Sequence, residues 1–225
     1  MTLGNLPLPM QRHLQPELLD SLPADHPDAL RNRRDLRVVN FALGNHRWLA
    51  RTLARELSAG EQALEIGAGT GELGLRLAAQ GCAVDGLDLW PRPTNWPAGA
   101  EWHRESLLTF AGYGSYQAVI GNLIFHQFSP ADLASLGRLL RESVRVIVAC
   151  EPARRRFSQL LYAVAAPLLG ANYVSRHDGH VSIAAGFRDD ELPKFLGLDP
   201  QQWEWRCRST ALGAYRLVAV RRATP

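Results

Sequence analysis

The chain has 225 residues, enough for one α/β domain with a modest extension, and its 46% hydrophobic content suits a globular protein with a full core. No apolar run is long enough to span a bilayer, and residues 1–15 hold no apolar core segment, so neither a membrane span nor a secretory signal is expected. Cys82, Cys150 and Cys207 are too few and too scattered for a disulfide framework or a zinc site, which points to a reducing, cytoplasmic setting and no metal. The net charge of +3 is carried by arginines spread along the chain, with Lys194 the sole lysine; that spread argues against a nucleic-acid partner.

Residues 1–59 read as helical, interrupted by Pro16, Pro23 and Pro27, with a break between two helices at Gly44-Asn45. This prefix carries no strand signal. Its apolar positions, among them Phe41 and Trp48, need a surface to cover, so it is read as a lid or extension to a domain spanning residues 60–225.

From Glu61 strands and helices alternate. Strands are predicted over residues 62–66, 83–87, 116–120 and 144–150, with a possible short one at 101–103. Helices are predicted over 72–80, stopped by Gly81, and over 154–169. Ser129-Pro130-Ala131-Asp132 supplies a serine cap, a proline in the first turn and an acid three residues after the cap, so a helix should run from there to about Leu140. Pro91, Pro93 and Pro97 make the crossover after the second strand irregular. Residues 203–208 and 215–221 form an antiparallel pair around Gly213. The order implies a mainly parallel sheet covered on both faces.

The sharpest local signal is Glu65-Ile66-Gly67-Ala68-Gly69-Thr70-Gly71-Glu72-Leu73-Gly74. A strand enters three glycines at alternate positions and leaves as a helix, a geometry that lets a ligand approach the backbone and the positive end of a helix dipole. Gly69-x-Gly71-x-x-Gly74 also satisfies the dinucleotide fingerprint, with Asp88 as its acid, so a nicotinamide-dependent oxidoreductase is one alternative. A carboxylate at Glu65 is hostile to a pyrophosphate and suited to a ligand bearing an ammonium and a sulfonium.

Glu65-x-Gly67-x-Gly69-x-Gly71 closely resembles the donor loop of class I S-adenosylmethionine-dependent methyltransferases. The resemblance implies a Rossmann-like, doubly wound, seven-stranded α/β sheet with an antiparallel last strand, and S-adenosylmethionine as cofactor. It assigns Glu65, Gly67, Ala68, Gly69 and Gly71 to the donor. Asp88, at the end of the second strand, would take both ribose hydroxyls, and Leu89 and Trp90 would pack near the adenine. Glu105 and Ser106 lie where the family often meets the adenine amino group. Asn122 and Leu123, after the strand holding Gln117, would flank the methionine part; the family often has an acid at the Gln117 position. No Asn-Pro-Pro-Tyr-like signature of nucleic-acid amino methylation is present.

An oxygen acceptor must lose a proton, for which histidine near neutral pH is suited. His126 and the pair His177-Asp178 are the candidates, the latter expected after a helix in a segment leading to a strand or loop, and Glu151 is expected to hold substrate or brace a histidine. Arg154-Arg155-Arg156 is expected in the first turn of a helix. The whole pattern is similar to small-molecule methyltransferases of bacterial secondary metabolism, some acting on phenolic oxygens. A methyltransferase fold that has lost its chemistry and serves as a binding partner is the remaining alternative.

Overall fold

The computed structural model describes residues 10–23 and 25–223; the reading of residues 1–9 lies outside them. The described residues form helices α1 (Pro27–Leu43), α2 (Asn45–Glu56), α3 (Glu72–Ala78), α4 (Pro130–Ser143), α5 (Arg156–Leu168), α6 (Tyr173–Ala185) and α7 (Glu191–Phe195). The strands are β1 (Gln62–Ile66), β2 (Ala83–Leu87), β3 (Trp102–His103), β4 (Ala118–Asn122), β5 (Val146–Pro152), β6 (Trp203–Ser209) and β7 (Ala214–Arg221). They make one sheet in the order β3-β2-β1-β4-β5-β7-β6. Every neighbouring pair is parallel except those involving β7, which runs antiparallel to both β5 and β6. The predicted fold class is the one observed.

Two cores cover the sheet. Leu64, Ile66, Val119 and Ile147 face α4 and α7 on one side, packing with Leu133, Leu136, Leu192 and Leu196. Ala63, Ile120, Val146 and Val148 face α2 and α3 on the other, packing with Leu49, Leu53, Leu73 and Leu77. Alternate residues of each strand thus serve opposite layers, as a period of two requires.

The predicted capping box holds: Asp132 N–H donates to Ser129 Oγ at 3.1 Å and Ser129 N–H donates back to Asp132 Oδ2. Gly44, at φ +66°, makes the break between α1 and α2.

The prefix differs from a lid laid on a finished domain. Leu49, Ala50 and Leu53 of α2 are buried in the sheet's own core, so α2 is one of the helices that cover the sheet. The segment 10–22 and α1 are separate again: they pack on α6, beside the carboxyl ends of β4 and β5. Arg12 donates to the carbonyls of Ala185, His126 and Phe128, with its guanidinium 4.9 Å from the Phe187 ring centroid. His13 N–H donates to Ala184 O at 3.1 Å. Tyr162 of α5 lies so close to α6 that a Cβ at Gly179 would fall 2.2 Å from its ring, and this contact joins the two helices.

Candidate functional site

The glycine loop turns at Gly67, Gly69 and Gly71, each with a positive φ between 54° and 74°. Its amides are turned inward. Gly67 and Ala68 N–H donate to Leu87 O, Gly71 N–H donates to Ala68 O, and Gly69 N–H donates to Asp88 Oδ2 at 2.7 Å. These four amides are therefore not available to a phosphate. The face at Gly69 is open, since a Cβ there would meet nothing within 4 Å. The other end of the fingerprint is filled by protein. Trp96 lies against Gly71 and Gly74, where a Cβ would come within 2.8 and 2.2 Å of its ring. Trp96 gave no signal in the sequence beyond standing among prolines, and it explains why Gly74 is glycine.

Glu65, next to last in β1, lies on the α3 side, 3% exposed, with Oε2 buried and unbonded. Burial pushes its carboxyl up to about 8, helped by Asp88 and Glu72 and opposed by the Gly74 amide.

Asp88 stands at the carboxyl edge just past β2. Its Oδ1 accepts Trp90 N–H at 2.9 Å while Oδ2 holds Gly69, so it ties the β2 end to the glycine loop. Trp90 has one ring face taken by the Arg33 guanidinium of α1, 4.4 Å from its centroid, and Leu89 is exposed. Glu105, exposed, and Ser106 lie just beyond β3 on the same edge; the Ser106 carbonyl starts a turn by accepting the amides of Thr109 and Phe110.

Asn122 is the last residue of β4, beside Glu65's strand. Its Nδ2 donates to Asn40 Oδ1 of α1 at 3.1 Å and lies 3.4 Å from His46 Nε2 of α2, while its Oδ1 is buried and unbonded. Asn40 Oδ1 also accepts Asn45 Nδ2 at 3.0 Å. Leu123 follows at φ +58°, a strained conformation for a residue with a Cβ, its N–H held by Cys150 O at 2.8 Å. Ile124 packs on Gly67, where a Cβ would come within 2.5 Å of it, so the glycine loop and the β4 exit meet directly.

His126, expected as a base, is enclosed between two carboxylates. It is 3% exposed, with Nδ1 2.6 Å from Glu151 Oε2 and Nε2 3.3 Å from Glu17 Oε1. Burial alone would lower its pKa; the hydrogen bonds and charges of Glu151 and Glu17 overcome that and raise it to about 9. Both ring nitrogens thus face carboxylates, which favour the charged ring. Glu151, 1% exposed, also accepts the amides of Ile124, Phe125 and His126. It lies within β5, two residues longer than expected at this end, and braces the segment after β4 as well as the histidine. Glu17 was not singled out in the sequence. Burial works to raise its pKa, but His126 and Ser182 hold it below its usual value.

His177 and Asp178 sit inside α6 and not in the expected loop after a helix. Asp178, buried, accepts the amides of Leu18 and Leu19 at 2.7 and 3.1 Å and lies 3.1 Å from His177 Nδ1. Its main work is to anchor the segment 10–22. His177 lines a cleft of about 530 Å³ with Gln15, Tyr162, Arg176 and His180. Arg154 lies before α5, buried, donating to Met10 O and Gly186 O and paired with Glu191; Arg155 and Arg156 are exposed.

Among the described residues one His/Asp/Glu group, Asp85, Glu101 and His103, is close enough to hold a metal. The Asp85 oxygens are already engaged by Gln62, Glu101 N–H and Tyr116 OH, so the group is a hydrogen-bond network.

No family model and no curated protein matches the sequence. Solved structures do. The plantazolicin methyltransferase BpumL with a pentazolic desmethylPZN analogue and S-adenosylhomocysteine is 11% identical, with a TM-score of 0.70 over 91% of this chain and 93% of that one. The N-methyltransferase NodS from Bradyrhizobium japonicum WM9, bound to S-adenosylhomocysteine, is 15% identical, with a TM-score of 0.53 over 80% of this chain and 87% of that one. The chain has the class I methyltransferase fold. A third structure with that likeness, described as the conversion of a disulfide bond into a thioacetal group during echinomycin biosynthesis, is 21% identical, with a TM-score of 0.54 over 77% of this chain and 80% of that one. Against BpumL the methyltransferase fold takes in nine tenths of this chain, so the match reaches into the helical prefix.

Proposed function

We propose that this chain is a methyltransferase that binds S-adenosylmethionine across the carboxyl ends of β1, β2 and β4 and passes its methyl group to a small molecule. The observation that carries this reading is the arrangement around the glycine loop. The amides of Gly67, Ala68, Gly69 and Gly71 are engaged within the protein, the face at Gly69 is open, and the Asp88 carboxylate at the end of β2 borders it. Such a loop suits a ligand that is cationic at one end and carries a ribose in the middle.

The residues fit that donor. Asp88 retains acceptor capacity beyond its two backbone bonds, since a carboxylate has about four acceptor sites, and it meets the ribose. Glu65 and the unbonded Asn122 Oδ1 serve the ammonium end. Gly67, Ala68, Gly69, Gly71 and Leu123 form the backbone wall. Leu89, Trp90, Glu105 and Ser106 border the adenine. When bound, the donor supplies an electrophilic methyl on sulfur; the protein aligns it with the acceptor and excludes water.

The acceptor is a hydroxyl or phenolic oxygen of a small metabolite. Supporting this are the helical layer of α1, α5 and α6 beside the carboxyl ends of β4 and β5, and the cleft in it lined by Tyr162, His177 and His180. We assign His177 to acceptor contact, and His126 with Glu151 to positioning the β4 exit.

The test is binding and turnover. S-adenosylhomocysteine should bind at micromolar concentration, and a panel of simple phenols incubated with methyl-labelled S-adenosylmethionine should yield a labelled ether. Labelled product on amines alone would keep the donor site and overturn the oxygen acceptor.

A further inference from the structure

Helix α5 is apolar on both sides. Its inner side is taken up by the protein: Ser158 and Ala166 are buried, and Tyr162, midway between them, rests on Gly179 of α6. On the opposite side Phe157, Leu160, Val164 and Leu168 are between 56% and 81% exposed. They follow one another at spacings of three, four and four, which puts them in one row along the helix, and exposed Leu169 extends it. Residues 157–169 carry no charged side chain. A helix that is hydrophobic all round belongs in an interior, so this row calls for a cover.

We propose that the outer face of α5 is an interface with a second copy of this chain, the two α5 helices lying antiparallel across a two-fold axis. Shape, area and charge favour that occupant. The row is narrow, as in the seam of a helix pair, whereas a broad surface such as a bilayer is met by a wider apolar face. Exposed by more than half, its side chains offer on the order of 600 Å², against the roughly 800 Å² that each partner gives to a standard interface. Arg155 immediately precedes α5 and Arg156 opens it, both exposed, so two cations stand at the positive end of the helix dipole, where they are disfavoured. An antiparallel pair sets the arginines of one copy beside the negative end of the other copy's α5. It also keeps the two arginine pairs apart by about the 20 Å length of the helix. A parallel pair would bring all four together.

The two-fold relation fixes the register. Centring the row on the axis sets Phe157 of one copy against Leu168 of the other, and Leu160 against Val164, each pairing occurring twice as a self-complementary surface requires. The same helix gives Tyr162, Ala163 and Pro167 to the cleft assigned to the acceptor, so the second copy braces that wall from outside as α6 does from inside. The pairing itself does not depend on the methyl-donor reading.

The experiment is sedimentation velocity of the full chain across the micromolar range. The natural protein should sediment as a dimer at the upper end of that range. Leu160→Glu and Val164→Arg each place a charge in the row and should weaken the dimer about 100-fold. Both positions are exposed within one copy, so both variants should keep the natural fold, which near-ultraviolet circular dichroism checks. Mixed in equal amounts, the two variants should pair again, because the antiparallel register sets the new carboxylate against the new guanidinium. A natural protein that stays monomeric throughout would overturn the proposal; if it sedimented with phosphatidylserine vesicles instead, the face would belong to a membrane. A dimer untouched by either substitution would overturn it by placing the contact elsewhere. Variants that dissociate and do not pair on mixing would overturn the antiparallel arrangement.

Discussion

Glu151 holds His126 by its ring and by its backbone: one carboxylate, 1% exposed, takes Nδ1 at 2.6 Å and the His126 amide at 3.2 Å, and reaches the two preceding amides as well. A buried charge pair of this kind is costly to break from one side, because the partner is left charged and out of water. Glu151→Ala should destabilise the protein by about 3–5 kcal/mol, read from urea denaturation at pH 7.

The same pair sets a pH dependence. The folded pKa of His126, about 9, lies above the unfolded value near 6.5. Its stabilisation is therefore complete below about 6.5 and is lost as pH rises through 9. Denaturation midpoints should fall from pH 7 to pH 10, and fall less in His126→Gln. Parallel curves for the two proteins would contradict the charged assignment.

Glu65 has the opposite sign. Its folded pKa of about 8 exceeds the unfolded 4.5, so the folded state is penalised progressively as pH rises from 4.5 to 8. Glu65→Gln removes that penalty and should raise the melting temperature at pH 8 more than at pH 5. If the donor's ammonium draws off the Glu65 proton, binding of S-adenosylhomocysteine at pH 7 releases a proton. Calorimetry in buffers of different ionisation enthalpy should detect the release, and Glu65→Gln should abolish it.

Asp88 is predicted to act twice, on the loop and on the ribose. Asp88→Ala should weaken S-adenosylhomocysteine binding by about 1–3 kcal/mol and speed amide exchange at Gly69 in the free protein. Faster exchange with unchanged affinity would leave it only the loop.

Removal of residues 1–22 is predicted to damage the fold, in contrast to what a detachable lid would allow. It strips Arg12 from three carbonyls, Glu17 from His126 and two amides from Asp178. Thermal denaturation of the truncated chain should show a clearly lowered midpoint.

What was legible in the sequence was local. The Gln62–Ile66 strand, the glycine turn and the Ser129–Asp132 box each depend on neighbours a few residues apart, so pattern alone exposes them. What was hidden depends on distance along the chain. The two carboxylates that enclose His126 stand 25 and 109 positions away. Asn40 is 82 positions from Asn122, and His46 is 76. The segment that forms α6 read as one leading to a strand or loop; Gly179 sits mid-helix, where glycine is unfavourable, and the helix keeps it because Tyr162 occupies the space. The prefix looked separate because α2's contacts are with strands that come later in the chain.

The most direct test of the donor site is calorimetric titration of the purified protein with S-adenosylhomocysteine, with NADH in parallel. The account predicts micromolar binding of S-adenosylhomocysteine and none of NADH. Binding of NADH alone, or of neither, would contradict it.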